Sequence, residues 1–231
     1  MKKIIYSILI LFFISLCNFN LYSQPFGQEP TERKSNFDVQ HIKLDISVDL
    51  KEKFVSGKAY IKLVPAEINF SQFELDAVGM NINNVELDPK GPMIISYSGK
   101  TKRTGYYLKT LKYDYNKTKL KIYLDSSYTL SDTLNLIIHY NNTDPEKGLY
   151  FVSPTAEFPN KRYEVWSQGE GEDNRYWFPC YDYPNDKATT EIIVTADKKY
   201  QTISNGVIIK KEELPEVSKW HWVNDQPHSS Y

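Results

Sequence analysis

HIKLDISVDLKEKFVSGKAYIKL, residues 41–63, alternates apolar and polar side chains on either side of a short charged interruption. Ile42, Leu44, Ile46, Val48 and Leu50 fall on one face of an extended chain and Lys43, Asp45, Ser47 and Asp49 on the other, because side chains along a strand project with a period of two. Lys51, Glu52 and Lys53 break the pattern where a turn would sit, and Val55, Gly57, Ala59, Ile61 and Leu63 resume it. The stretch therefore predicts a β-hairpin with one buried face. Working outward, the same period recurs at Phe73, Leu75 and Ala77, at Leu120, Ile122 and Leu124, and at Leu134, Leu136, Ile138 and Tyr140. Between these runs lie the turn sequences DPKGP (88–92), NNTDP (141–145) and SNG (204–206), rich in the residues that tolerate tight backbone conformations. No helical apolar period persists along the chain, so the fold class expected is all-β, with antiparallel strands in a curved two-sheet sandwich or saddle. Trp220 and Trp222 alternate as in one more strand, and DQPHSSY (225–231) follows without a closing element, as expected of a chain cut inside a larger protein.

The 231 residues are 41% hydrophobic and 25% charged, with a formal net charge of −1, the balance of an ordinary globular protein. Without an excess of clustered Lys and Arg there is no electrostatic pull toward a phosphate backbone, which argues against nucleic acid as a partner. At the N-terminus Lys2 and Lys3 precede an apolar run from Ile4 to Cys17, with small Ser23 beyond it. This is the pattern of a secretory signal peptide over residues 1–23. A polar lead-in over 24–35 and a β domain over 36–231 follow. The apolar run is shorter than the ~20 residues a bilayer span needs, so no stable membrane anchor is expected. Bulky Leu16 fits poorly before a lipid-modified Cys17, and the localisation expected is secreted or otherwise extracytoplasmic. Loss of the signal removes Cys17 and leaves Cys180 with no partner for an internal disulfide. His41, His139, His221 and His228 include no pair at the i, i+4 spacing of a helical metal site, so no metal site is recognisable.

The most specified stretch is WSQGEGEDNRYWFPCYDYPND, residues 166–186. Pro179 and Pro184 exclude a helix through it and suit an edge or loop. In an extended segment Gln168 and Glu170 share a face, and an amide beside a carboxylate suits an amine ligand. A plain acidic surface strand, with Arg175 pairing locally, is the other reading of the same residues.

Gln168, Glu170, Asp173, Arg175, Phe178, Pro179, Cys180, Asp182 and Pro184 fit the pattern Q-x-E-x-x-D-x-R-x-x-F-P-C-x-D-x-P. The chain thereby resembles the aminopeptidase N-like zinc metallopeptidases at their N-terminal β domain. Tyr183 stands where that family often has Glu, a departure that leaves Gln168 and Glu170 untouched. HIKLDISVDLKEKFVSGKAYIKL, LDAVGMNINNVEL (75–87), GLY (148–150) and KATTEIIVTADKKYQTISNG (187–206) are similar as well, so the resemblance spans residues 36–231.

The resemblance implies a secreted zinc aminopeptidase that removes residues from peptide N-termini, with this chain as its N-terminal domain. Its zinc would be held by the H-E-x-x-H helix and a distant Glu of a thermolysin-like catalytic domain. That domain, and the G-x-M-E-N segment that opens it, are missing here, so the chain is expected to bind no metal, carry no catalytic residue and be inactive alone. Glu170 is implied to help hold the substrate's α-ammonium, and Gln168 to line the pocket for the first side chain. The partners implied are peptide substrates with a free N-terminus and the missing catalytic domain. Arg175 and Asp173 are expected to hold the loop in shape, Tyr176, Trp177 and Phe178 to pack in the core or between domains, and Cys180 to be a buried structural thiol. The alternative from another class is a non-catalytic β-domain used for protein interaction.

Overall fold

In a computed structural model that describes residues 33–88, 93–96, 102–105 and 108–231, the stretch at 41–63 forms the hairpin its alternation demands. Strands β1 (Phe37–Asp49) and β2 (Phe54–Pro65) run antiparallel, with Leu44 opposite Ala59 and Val48 opposite Val55. Leu44, Ile46, Val48, Val55, Ala59, Ile61 and Leu63 are buried, whereas Lys58 and Lys62 are exposed. Ile46 faces Gly57, and the strands come so close there that a Cβ on Gly57 would lie 2.1 Å from the Asp45 carbonyl oxygen. The glycine in the alternating run is thus a packing requirement.

The remaining strands follow as β3 (Phe70–Asp76), β4 (Asn81–Asp88), β5 (Met93–Ser96), β6 (Lys102–Gly105), β7 (Lys109–Thr110), β8 (Lys112–Tyr115) and β9 (Lys119–Tyr128). Beyond these come β10 (Leu134–Thr143), β11 (Leu149–Val152), β12 (Glu164–Ser167), β13 (Ala188–Asp197), β14 (Val207–Glu213) and β15 (Val217–His228). They assemble into an eight-stranded sheet of order β14-β15-β13-β1-β2-β10-β4-β7, a three-stranded sheet β3-β9-β8, and the ribbons β5-β6 and β11-β12. Phe70, Phe73, Leu75, Leu120 and Ile122 of the smaller sheet share one buried cluster with Ile61, Leu63, Leu87, Leu136 and Ile138 of the larger. The all-β, two-sheet expectation is met, and Ser35–Tyr231 form one compact unit.

Two features differ from the pattern read along the sequence. The β1–β13 pair is parallel, running from His41 beside Thr189 to Ser47 beside Thr195, within sheets that are otherwise antiparallel. Parallel neighbours need a long crossover, and the chain from β2 through residue 187 supplies it. NNTDP is not wholly a turn, because β10 continues through Thr143. The amide of Asn141 bonds to Asn81 and Asn83 at 3.0 and 3.1 Å, and buried Asn142 donates to the Tyr176 carbonyl at 2.7 Å, so these polar side chains serve the ladder. The signal expected at 1–23, residues 24–32 of the lead-in and residues 89–92 of DPKGP lie outside the described residues. Among the described residues, no helix is long and apolar enough to cross a membrane.

Candidate functional site

The β11–β12 ribbon leads into the motif. Leu149 pairs with Ser167, and the Gln168 N–H still donates to the Gly148 carbonyl at 3.0 Å, which carries the ladder one rung past β12. The strand geometry then ends. Gly169 is buried against Asn174, whose amide nitrogen would lie 2.3 Å from a Cβ at that position. Glu170 opens a turn that runs through Asp173, with Gly171 at φ +80°, and a 3-10 turn spans Asn174–Tyr176. The period-two argument therefore does not reach Glu170. Gln168 ends a ladder, Glu170 begins a turn, and one buried glycine separates them.

What holds the turn lies beneath it. The Arg175 backbone N–H and Nε both donate to Asp182 Oδ2, at 3.0 and 3.2 Å, and Nη2 donates to the Asp182 carbonyl at 3.0 Å. Asp182 is fully buried and its own N–H donates to Asp76 Oδ2 at 3.0 Å. Asp76, also fully buried, accepts Lys119 Nζ on Oδ1 at 2.5 Å. The backbones of Asp76 and Cys180 exchange hydrogen bonds at 2.7 and 3.0 Å, which ties the loop to β3. Burial pushes the Asp182 carboxyl up, against the hydrogen bonds and charge of Arg175. The Arg175 guanidinium also meets the Glu172 carboxylate, and Asp173 pairs with Lys147 at 3.7 Å. Arg175 and Asp173 are thus both structural, though Arg175 is bound to Asp182 and not to Asp173.

Asn174 is a second anchor. It is 7% exposed, its Oδ1 accepts the Trp177 indole N–H at 3.1 Å, and its amide nitrogen donates to the Ser230 carbonyl. The Gly169 N–H reaches the Tyr231 carbonyl at 3.2 Å. Trp177, Phe178 and Cys180 are buried, as their sequence context suggested, and Tyr176 is half-buried. Sequence reasoning missed Asp76, Lys119 and Asn174. Asp76 falls between Leu75 and Ala77, where simple alternation assigns it to solvent, and no spacing signal links it to a loop a hundred residues onward.

Above this framework, Gln168 is half-buried and Glu170 exposed. Among the described residues no hydrogen bond or ion pair engages either side chain. An anionic group without a partner, on a turn fixed from below, can take a cation at a defined position. Among the described residues no three His, Cys, Asp or Glu side chains come together as a group that could hold a metal ion. His41 and His221 both aim Nε2 at Glu191, at 3.5 and 2.9 Å.

Residues 37–231 match the model of the Peptidase M1 N-terminal domain. The chain is 22% identical over 186 residues to transcription initiation factor TFIID subunit 2 of Danio rerio, covering 71% of this chain and 16% of that protein. It is 22% identical over 161 residues to leucine aminopeptidase 2 of Vanderwaltozyma polyspora, covering 70% of this chain and 22% of the relative. The fold is shared with an M1 zinc metallopeptidase from Deinococcus radiodurans at a TM-score of 0.65 and 20% identity, over 84% of this chain and 40% of that one. The chain thus spans less than a quarter of the two curated relatives. With the family model matched across the whole β body, the chain belongs to the Peptidase M1 N-terminal domain family.

Proposed function

We propose that this chain is the amine-binding N-terminal domain of a secreted zinc aminopeptidase, an enzyme that removes residues one at a time from peptide N-termini. The observation that carries the reading is Glu170, an exposed carboxylate without a partner among the described residues, on a turn locked by half-buried Arg175 and by buried Asp182 and Asp76. A substrate α-ammonium leaving water needs an anionic partner, and a charge-assisted hydrogen bond to a fixed carboxylate supplies one. Holding the amine at a set distance from the reacting bond makes each cleavage release a single residue. Gln168, at the end of the ladder just before the turn, would line the space for the first side chain. Zinc would be held by residues outside this chain, and the domain's own part is to bind and orient. The charged and apolar pattern of residues 1–23 supports export.

A second reading has one observation in its favour. The name of the relative TFIID subunit 2 is not that of a peptidase, which fits use of the same β body for protein interaction. Assaying the full-length protein separates the two. An aminopeptidase releases residues from an unblocked peptide, spares the N-acetylated peptide, and loses activity to a chelator. Hydrolysis of the blocked peptide, or none of either, contradicts the proposal. Secreted protein should begin near Gln24, and N-terminal sequencing that finds Met1 would argue against export.

A further inference from the structure

The β11–β12 ribbon turns Phe151 and Val165 to the core, so their neighbours Tyr150 and Trp166 face outward. These two are cross-strand partners, stacked with ring centroids 4.5 Å apart and planes 23° from parallel. Trp166 is nonetheless 51% exposed. An outward strand position needs only a residue of good β propensity, and Thr would serve there. A stacked Trp–Tyr pair is a preformed apolar surface that loses little rotamer freedom when something lies on it. Gln168 extends the same ladder two residues past Trp166, so alternation puts it on the same face as the stack.

We propose that Trp166, braced by Tyr150, contacts the first side chain of the peptide substrate and favours large apolar and aromatic residues there. This rests on the aminopeptidase reading above. Two residues along a strand span about 7 Å. A side chain that starts beside Gln168 therefore reaches the indole only if it is long. Phenylalanine comes nearest to covering that distance, leucine falls short of it and alanine shorter still. Contact with an aromatic face beyond simple area burial adds selectivity of about tenfold at most.

The test uses the full-length protein and aminoacyl amides of Phe, Leu and Ala, comparing Trp166→Ala, Trp166→Phe and Glu170→Gln. In Trp166→Ala the Phe-over-Ala ratio of kcat/KM should fall about tenfold, and Trp166→Phe should recover most of it. Glu170→Gln should lower all three substrates together and leave the ratio where it was. Equal losses on every substrate in Trp166→Ala, or an unchanged ratio, would overturn the contact while the amine site stands. Loss confined to Lys and Arg amides, added as a further pair, would make the indole a cation platform and overturn the apolar assignment. A native protein that hydrolyses none of these amides would overturn the aminopeptidase reading, and this inference with it.

Discussion

Asp76 and Asp182 are fully buried carboxylates, and each is tolerated because a cation and a backbone N–H meet it. Arg175 meets Asp182 at 3.2 Å and lies 3.9 Å from Asp76, so its loss strips charge from both. Replacing Arg175 with Met keeps much of the stem and removes the guanidinium. This should cost ~3–5 kcal/mol, the range for stripping one partner from a buried pair, measured by urea unfolding. A loss below ~1 kcal/mol would show the lock to be idle. Asp186 gives a different signal. Burial pushes its carboxyl up to about 6, with Asp38 adding to the rise and the Val39 N–H, at 3.1 Å, opposing it. The folded chain therefore holds this proton more tightly than the unfolded chain. Its contribution is complete below the ordinary carboxyl value and is lost as pH rises through about 6. Asp186→Asn keeps an oxygen for the Val39 N–H and removes the titration. Between about pH 4 and pH 7 the native chain should lose melting temperature relative to this variant, and parallel profiles would contradict that. At this scale the sequence was partly legible. Cys180 lacked a neighbouring base and is buried as an inert thiol would be, whereas Asp76 gave no sign of its role, since local alternation carries no information about partners far along the chain.

Long, cleanly alternating segments declared themselves as elements, because one buried face forces the period. β1, β2, β3, β9 and β10 bury most of the side chains their spacing selects, with Ile42 and Leu124 partly buried against the core. Short segments did not: β11 and β12 have four residues each, too few for a period to stand out, and it is their ribbon that aims Gln168. The turn at Glu170 was hidden for a related reason. Gly169 and Gly171 permit conformations that the alternation of their neighbours cannot report. The β1–β2 pairing offers a direct check on register. An alanine at Gly57 would place its Cβ 2.1 Å from the Asp45 carbonyl oxygen, so the strands must part at the centre of the hairpin. Gly57→Ala should cost ~1–3 kcal/mol, as overpacking does, seen as a lowered urea midpoint with an unchanged slope. A neutral substitution would mean that the strands are paired otherwise.

Across the whole molecule, the two sheets share the core, and the loop from 168 to 187 crosses from the ribbon to β13 while hydrogen-bonded to β3. Fold class and family were legible because they rest on a dispersed pattern and a spaced motif. The parallel β1–β13 pair and the Asp76–Asp182–Arg175 set were not, because each joins segments whose meeting only the finished topology decides. That topology makes Glu170 a carboxylate on a fixed turn, and the central claim is that it receives the substrate's amine. Glu172, beside it, is engaged by Arg175 and cannot serve as a neutral control. Glu52, exposed in the β1–β2 turn, can. The most direct measurement is kcat/KM of the full-length protein toward an unblocked aminoacyl amide for Glu170→Gln and Glu52→Gln, with melting temperatures alongside. Truncating one side of a desolvated charge pair costs ~2–5 kcal/mol, so Glu170→Gln should lower kcat/KM by roughly 30- to several-thousand-fold at an unchanged melting temperature, with Glu52→Gln like the native protein. Native kinetics in Glu170→Gln, or equal losses in both variants, would contradict the claim and leave the motif a device for packing.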